Sequence, residues 1–221
     1  MTKPKPQSPT QETYDSLNLA HEFFNARLFG GKLPACLVTL QRSKKTYGFF
    51  AGQRFGLKSG QGATDEIALN PSHFEQRTTE QTLSTLAHEM AHQWQQHHGK
   101  PSRTGYHNKE WAAKMIEVGL VPSSTGQKGG KQVGQHMTHY IETGGAFARA
   151  CADLLNGGKF GRLYIERWSD DKETRKKKTA SKTRYSCPSC GLNAWAKPAV
   201  WLVCGECDEK LEAEPAGEGE G

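Results

Sequence analysis

The chain has 221 residues, enough for one medium domain and a small module, and its 35% hydrophobic content supports a modest core. No run approaches the roughly 18 apolar residues that span a bilayer, which excludes a membrane-crossing helix. The net charge of +6 and pI of about 9.0 favour a polyanionic partner without requiring one, and the acidic stretch 206–220 leaves the remainder more basic than the total suggests.

The opening Met1-Thr2-Lys3-Pro4-Lys5-Pro6 lacks the apolar core of a signal peptide, so a cytoplasmic protein is expected, nucleoid-associated if bacterial. In that reducing compartment, four of the six cysteines fall into two Cys-x-x-Cys pairs that read as a metal site and not as disulfides. Cys36 and Cys151 read as small buried side chains.

Residues 1–10, rich in Pro, Lys and Ser, are expected to be disordered. A helix follows with Tyr14, Leu17, His21, Phe24 and Leu28 on one face, and Gly30-Gly31 ends it before Pro34. His21 on that face reads as a core or boundary histidine. The short runs Ala35–Leu40, Tyr47–Phe50 and Glu66–Leu69 predict three strands in a small antiparallel sheet.

A long amphipathic helix is predicted from Thr78 to His98, with Leu83, Leu86, Ala87, Met90 and Trp94 at helical spacing. Thr78 and Gln81 form a capping box and Gly99 stops the helix. A second helix runs from about Asn108 to Val118. Residues 123–145 read as a glycine-rich loop, Ala146–Asn156 as a short helix and Phe160–Trp168 as an edge strand. A basic linker, 169–184, carries Arg175, Lys176, Lys177, Lys178, Lys182 and Arg184.

The long helix contains His88-Glu89-Met90-Ala91-His92. Histidines four apart share one helix face and can hold one zinc ion, which lowers the pKa of a bound water toward neutrality. Glu89 is placed to accept that proton, so the motif describes a zinc hydrolase.

A hydrolytic zinc site needs a third protein ligand. His98 has metzincin spacing, but Gln95 stands where that motif needs a helix-breaking glycine, so His97 and His98 read as polar residues of the last turn. Glu110 or Glu117 on the following helix, or His107 just before it with Asn108 as N-cap, remain open by this reasoning.

Cys187-Pro188-Ser189-Cys190 and Cys204-Gly205-Glu206-Cys207 have zinc-ribbon spacing. Four thiolates leave no open coordination position, so this second zinc is structural, and it supplies stability that a segment of this length cannot obtain from a core. Tyr185, Trp195 and Trp201 belong either to the module's core or to a surface on which bases stack.

From Phe23 to Leu120 the chain resembles the SprT-like zinc metalloproteases, through Phe29-Gly30-Gly31-Lys32-Leu33-Pro34, Leu86-Ala87-His88-Glu89-Met90-Ala91-His92 and Tyr106-His107-Asn108-Lys109-Glu110-Trp111. Tyr106 and Asn108-Lys109 depart from the family's usual Gly and Gly-Pro. The resemblance implies His107 as third ligand and a zinc ribbon behind the protease domain. The expected class is α+β: a zincin-like domain (11–122), an accessory region (123–168), the linker, a small β zinc ribbon (185–212) and an acidic tail (213–221).

The resemblance further implies an endopeptidase acting on proteins bound or crosslinked to DNA, and a monomer with one catalytic and one structural zinc is expected. Single-stranded or distorted DNA is then the partner, contacted by the basic linker residues, Trp195 and Trp201. The motif and charge alone leave two alternatives: a nucleic-acid-binding adaptor with a non-catalytic zinc scaffold, and hydrolysis of a small non-peptide amide. Tyr106, Arg103 and Tyr47 are the sequence candidates for an oxyanion donor.

Overall fold

The structure is a computed structural model and describes residues 7–43, 46–166 and 182–214. The expected residues Arg175, Lys176, Lys177 and Lys178 lie outside them. The chain divides into two compact units, at Arg167/Trp168.

Order begins earlier than composition suggests. Ser8 caps helix α1 (Pro9–Leu28), its Oγ accepting from the Gln11 N–H, and Pro9 occupies the first turn, where a missing N–H costs nothing. Leu17, Ala20, His21 and Phe24 are buried, whereas Tyr14, expected on the same face, is exposed because Thr13 and Ser16 take the inward positions above Leu17. The helix ends where Gly30 and Gly31 adopt positive φ, and Asn25 exchanges two hydrogen bonds with the backbone of Leu33 to lock the exit turn.

Strands β1 (Leu37–Leu40), β2 (Gly48–Gly56) and β3 (Ala63–Leu69) form one sheet in the order β1-β3-β2. It is mixed, not antiparallel: β1 runs parallel to β3 and only β2 is antiparallel to it. Between β1 and β2 in sequence, the Ser43 and Thr46 carbonyls each accept from Asn70 Nδ2 at 2.7 Å. A bulge in β2 between Ala51 and Phe55 centres on Gln53, at φ 50°, whose N–H bonds Asp65 Oδ1.

Helix α2 (Thr79–His98) lies against this sheet with the predicted capping box in place and Leu83, Leu86, Ala87 and Met90 fully buried. Strand β4 (Tyr106–His107) follows, then α3 (Lys109–Glu117), capped by Asn108 Oδ1 accepting from the Trp111 N–H. The segment expected as loop contains strands. β5 (Leu120–Ser123) pairs antiparallel with β7 (Thr138–Ile141), and β6 (Gly134–Gln135) pairs with β4. Its many glycines hid these short pairings, which have no periodicity of their own.

Helix α4 (Ala146–Asn156) buries Phe147, Cys151 and Leu154 against α1, with the Phe24 and Phe147 rings 5.4 Å apart. Gly119 makes this packing possible: it has φ +84°, and a Cβ there would meet the Ala146 and Phe147 nitrogens at 2.7 and 2.9 Å. Gly119→Ala is therefore expected to lower stability by about 1–3 kcal/mol, read as a reduced midpoint in denaturant. The expected edge strand does not form over its described part. Residues 159–166 have no partner strand; Phe160 and Leu163 pack on the core while Tyr164 and Arg162 reach Glu12, which produces the apolar-polar alternation without a ladder.

In the second unit β8 (Thr183–Ser186), β9 (Asn193–Ala196) and β10 (Glu212–Ala213) form a sheet in the order β10-β8-β9. Its fully enclosed core is Tyr185, Cys187, Cys204 and Leu211.

Candidate metal centre

One turn of α2 separates His88 from His92, with ring centroids 5.3 Å apart. The β4–β6 pairing puts His107 opposite Gly134 and brings its ring to 4.8 Å from that of His92. One nitrogen from each of the three lies within 4.8 Å of the other two, the arrangement a metal ion needs.

Trp111, fully buried on α3, backs all three rings at centroid distances of 4.9, 5.1 and 4.3 Å and stacks on His92. Its indole Nε1 has no hydrogen-bond partner in the described structure. Trp111 thus acts here by shape.

Burial holds all three histidines neutral. His88 is pushed well down by desolvation and by His139, His92 and His107; His92 falls to about 3 by burial and His107. Burial lowers His107 too, against the raising effect of its bond to Gly134. His107 Nδ1 donates to the Gly134 carbonyl at 3.2 Å, so Nε2 keeps its lone pair. Three neutral imidazoles converging on one point fit a zinc ion, with room for a fourth ligand.

Glu89 is buried beside them. Desolvation pushes its carboxyl up to about 8, and a hydrogen bond from the backbone N–H of Phe50 on β2 opposes the rise. These groups face a cleft of about 570 Å³. Tyr47 to Phe50 form one wall, the loop Pro101–Tyr106 another, and His136 to His139 a third. All three sequence candidates for an oxyanion donor, Tyr47, Arg103 and Tyr106, line it.

The competing ligands have other partners. His98 Nε2 contacts the Lys32 carbonyl at 3.0 Å, and Glu110 accepts from Gln95 and from the Lys100 N–H. Glu117 pairs with Lys114 on the surface. His97 meets Asp65 at 2.7 Å. Burial raises Asp65, but bonds from the Gln53 N–H, His97 and Gln93 outweigh it and keep the carboxylate below its usual range. Gln93 also joins His21 and the Pro34 carbonyl, so this network anchors the back of α2 while its front carries the histidines.

Sequence reasoning missed His139. Its Nδ1 is 3.1 Å from His88 Nδ1 and its Nε2 is 2.9 Å from Ser84 Oγ. Burial and nearby Arg77 hold it at about 4, hence neutral. The only sequence signal was a pair of histidines, His136 and His139, in a glycine-rich stretch.

The second unit brings Cys187, Cys190, Cys204 and Cys207 together, their Sγ atoms within 4.8 Å of one another. Each knuckle closes on itself: the Gly191 N–H bonds the Cys187 carbonyl and the Asp208 N–H that of Cys204, both at 2.9 Å, with Gly191 and Asp208 at positive φ. Backbone N–H groups of Glu206 and Cys207 point at Cys204 and hold its thiol down at about 7, which favours the thiolate a metal takes. Tyr185 is core, its hydroxyl donating to the Lys197 carbonyl, while Trp195 and Trp201 are 62% and 72% exposed. Lys182 is exposed; Arg184 is engaged by Asn193 and Glu214.

A mixed α+β unit carrying three histidines and a buried glutamate on one cleft defines a protein of metal-site type. The chain belongs to the SprT-like family, whose profile matches residues 17–133. It is similar to a Salmonella typhimurium protein named "Uncharacterized protein in mucB 3'region", 55% identical over 60 residues that make up 27% of this chain and 80% of the relative. No solved structure matches it.

Proposed function

We propose that the chain is a zinc-dependent endopeptidase with a zincin-like domain and a zinc ribbon, acting on proteins bound or crosslinked to DNA. The observation that carries the peptidase reading is Glu89, a buried carboxyl at the floor of the cleft beside three converging neutral histidines. A scaffold zinc has no use for an acid there, and burying one is costly.

His88, His92 and His107 would hold the zinc, which when bound would supply Lewis acidity and lower the pKa of water toward neutrality. Glu89, oriented by the Phe50 N–H and kept ionised by the charge of a zinc ion bound beside it, would accept a proton from the attacking water and later deliver it to the leaving amine. β2 is an edge strand of its sheet and its first residues line the cleft, so an extended peptide can lie along it as an added strand with its carbonyl over the histidines. A second zinc in the four-cysteine cluster is structural.

DNA enters through the other unit. Exposed Trp195 and Trp201, with Lys210 Nζ 4.2 Å above the Trp201 ring, offer stacking faces beside a cation, and the basic linker adds phosphate contacts. Holding enzyme and substrate on one strand raises their effective concentration, so single-stranded DNA is expected to stimulate cleavage of a DNA-binding protein by about 10²-fold at low salt. The measurement is cleavage with and without DNA, for wild type and for Trp195→Ala/Trp201→Ala. Rates indifferent to DNA over a range of salt would remove the DNA part and leave the peptidase standing.

A further inference from the structure

The hydrogen bonds behind His88 have a direction, and that direction decides which of its nitrogens is free. Ser84 Oγ donates its single proton to the Gln81 carbonyl at 2.8 Å, within the same helix, and lies 2.9 Å from His139 Nε2. With that proton committed the hydroxyl accepts, so His139 carries its hydrogen on Nε2 and presents a bare Nδ1. That Nδ1 is 3.1 Å from His88 Nδ1. The hydrogen between them therefore belongs to His88, and His88 Nε2 keeps its lone pair.

The reversed chain, with Ser84 donating to His139, would put a hydrogen on His139 Nδ1 and drive the one on His88 to Nε2. That closes the nitrogen left for a metal. His139 is not itself a ligand: among the described residues the nitrogens within 4.8 Å of one another come from His88, His92 and His107. Its backbone is placed by the β5–β7 register, which sets it opposite Pro122.

We propose that His139, backed by Ser84, is a positioning residue of the metal centre: it holds His88 in the Nδ1–H tautomer with Nε2 free for zinc, as the Gly134 carbonyl does for His107. Two different β-pairings thus each supply an acceptor to one ligand. This rests on the three-histidine zinc site proposed above.

Competition between metal-stripped full-length protein and a chromophoric zinc chelator tests it. His139→Leu keeps an apolar bulk but offers no acceptor, and is expected to weaken zinc binding at the three-histidine site by about 10–100-fold. His139→Gln, which can accept from His88 and donate to Ser84, recovers most of that loss. Two-bond ¹H–¹⁵N spectra of zinc-loaded wild type are expected to show His139 as the Nε2–H tautomer and His88 as Nδ1–H.

Wild-type affinity in His139→Leu, equal loss in Leu and Gln variants, or His139 protonated on Nδ1 would each overturn the proposal. His107→Ala separates this from failure of the site itself. If that variant binds as much zinc as wild type, the three-histidine site is wrong and His139 falls with it. If it loses one equivalent while His139→Leu keeps full affinity, only the role of His139 falls.

Discussion

Glu89→Gln is expected to reduce peptide hydrolysis by about 10²–10⁴-fold while the zinc content stays at the wild-type value. The carboxamide has nearly the same shape and its oxygen can still accept from the Phe50 N–H, so the cleft wall and the helix should not move. What it cannot do is take a proton from water. Because burial disfavours the charged form of Glu89, the amide also relieves a desolvation cost, and the metal-free variant should unfold at the same temperature as wild type or above it. Steady-state cleavage of an unstructured polypeptide, run beside metal analysis, is the measurement. Wild-type turnover in a zinc-replete variant would remove Glu89 from the mechanism and return the adaptor reading to the front.

The second large effect concerns the four cysteines. Cys204→Ser is expected to unfold residues 182–214, because among the described residues of this unit four side chains are fully enclosed, two of them cysteines, with a few partly buried apolar groups packed on them. Zinc binding to such sites is worth about 10–16 kcal/mol of apparent free energy, so its loss outweighs the strand pairing and the Tyr185 hydrogen bonds. Amide exchange should show it directly: protection at Tyr185 and across β9 is lost, and protection in α2 is kept. Retained protection in a variant that has lost one zinc would show that the cluster is not structural.

Much of the centre was legible locally. The helix from Thr78, its cap, the shared face of His88 and His92 and the flanking acid all depend on residues within a few positions of one another, where 3.6-residue periodicity governs. The knuckle spacing of Cys187/Cys190 and Cys204/Cys207 was readable for the same reason. His107 was harder. Residue reasoning left it level with Glu110, and only the resemblance favoured it; the fold gives Glu110 to Gln95 and Lys100 and swings His107 onto α2.

What lay beyond the sequence depends on contacts between distant residues. β1 runs parallel to β3 and lies across it from β2, an order set by pairings such as Leu37 with Glu66 between residues far apart in the chain. Trp111 reads as one more helical aromatic until three histidine rings rest on it. His139 lies 51 positions from His88, in a segment whose pairings are two to four residues long. By itself the sequence determined the chemistry that one helix and two knuckles can hold, because spacing along the chain sets which side chains share a face. Only the tertiary structure decided which nitrogens are free to bind, because a tautomer is set by partners that strand pairing delivers from elsewhere in the chain.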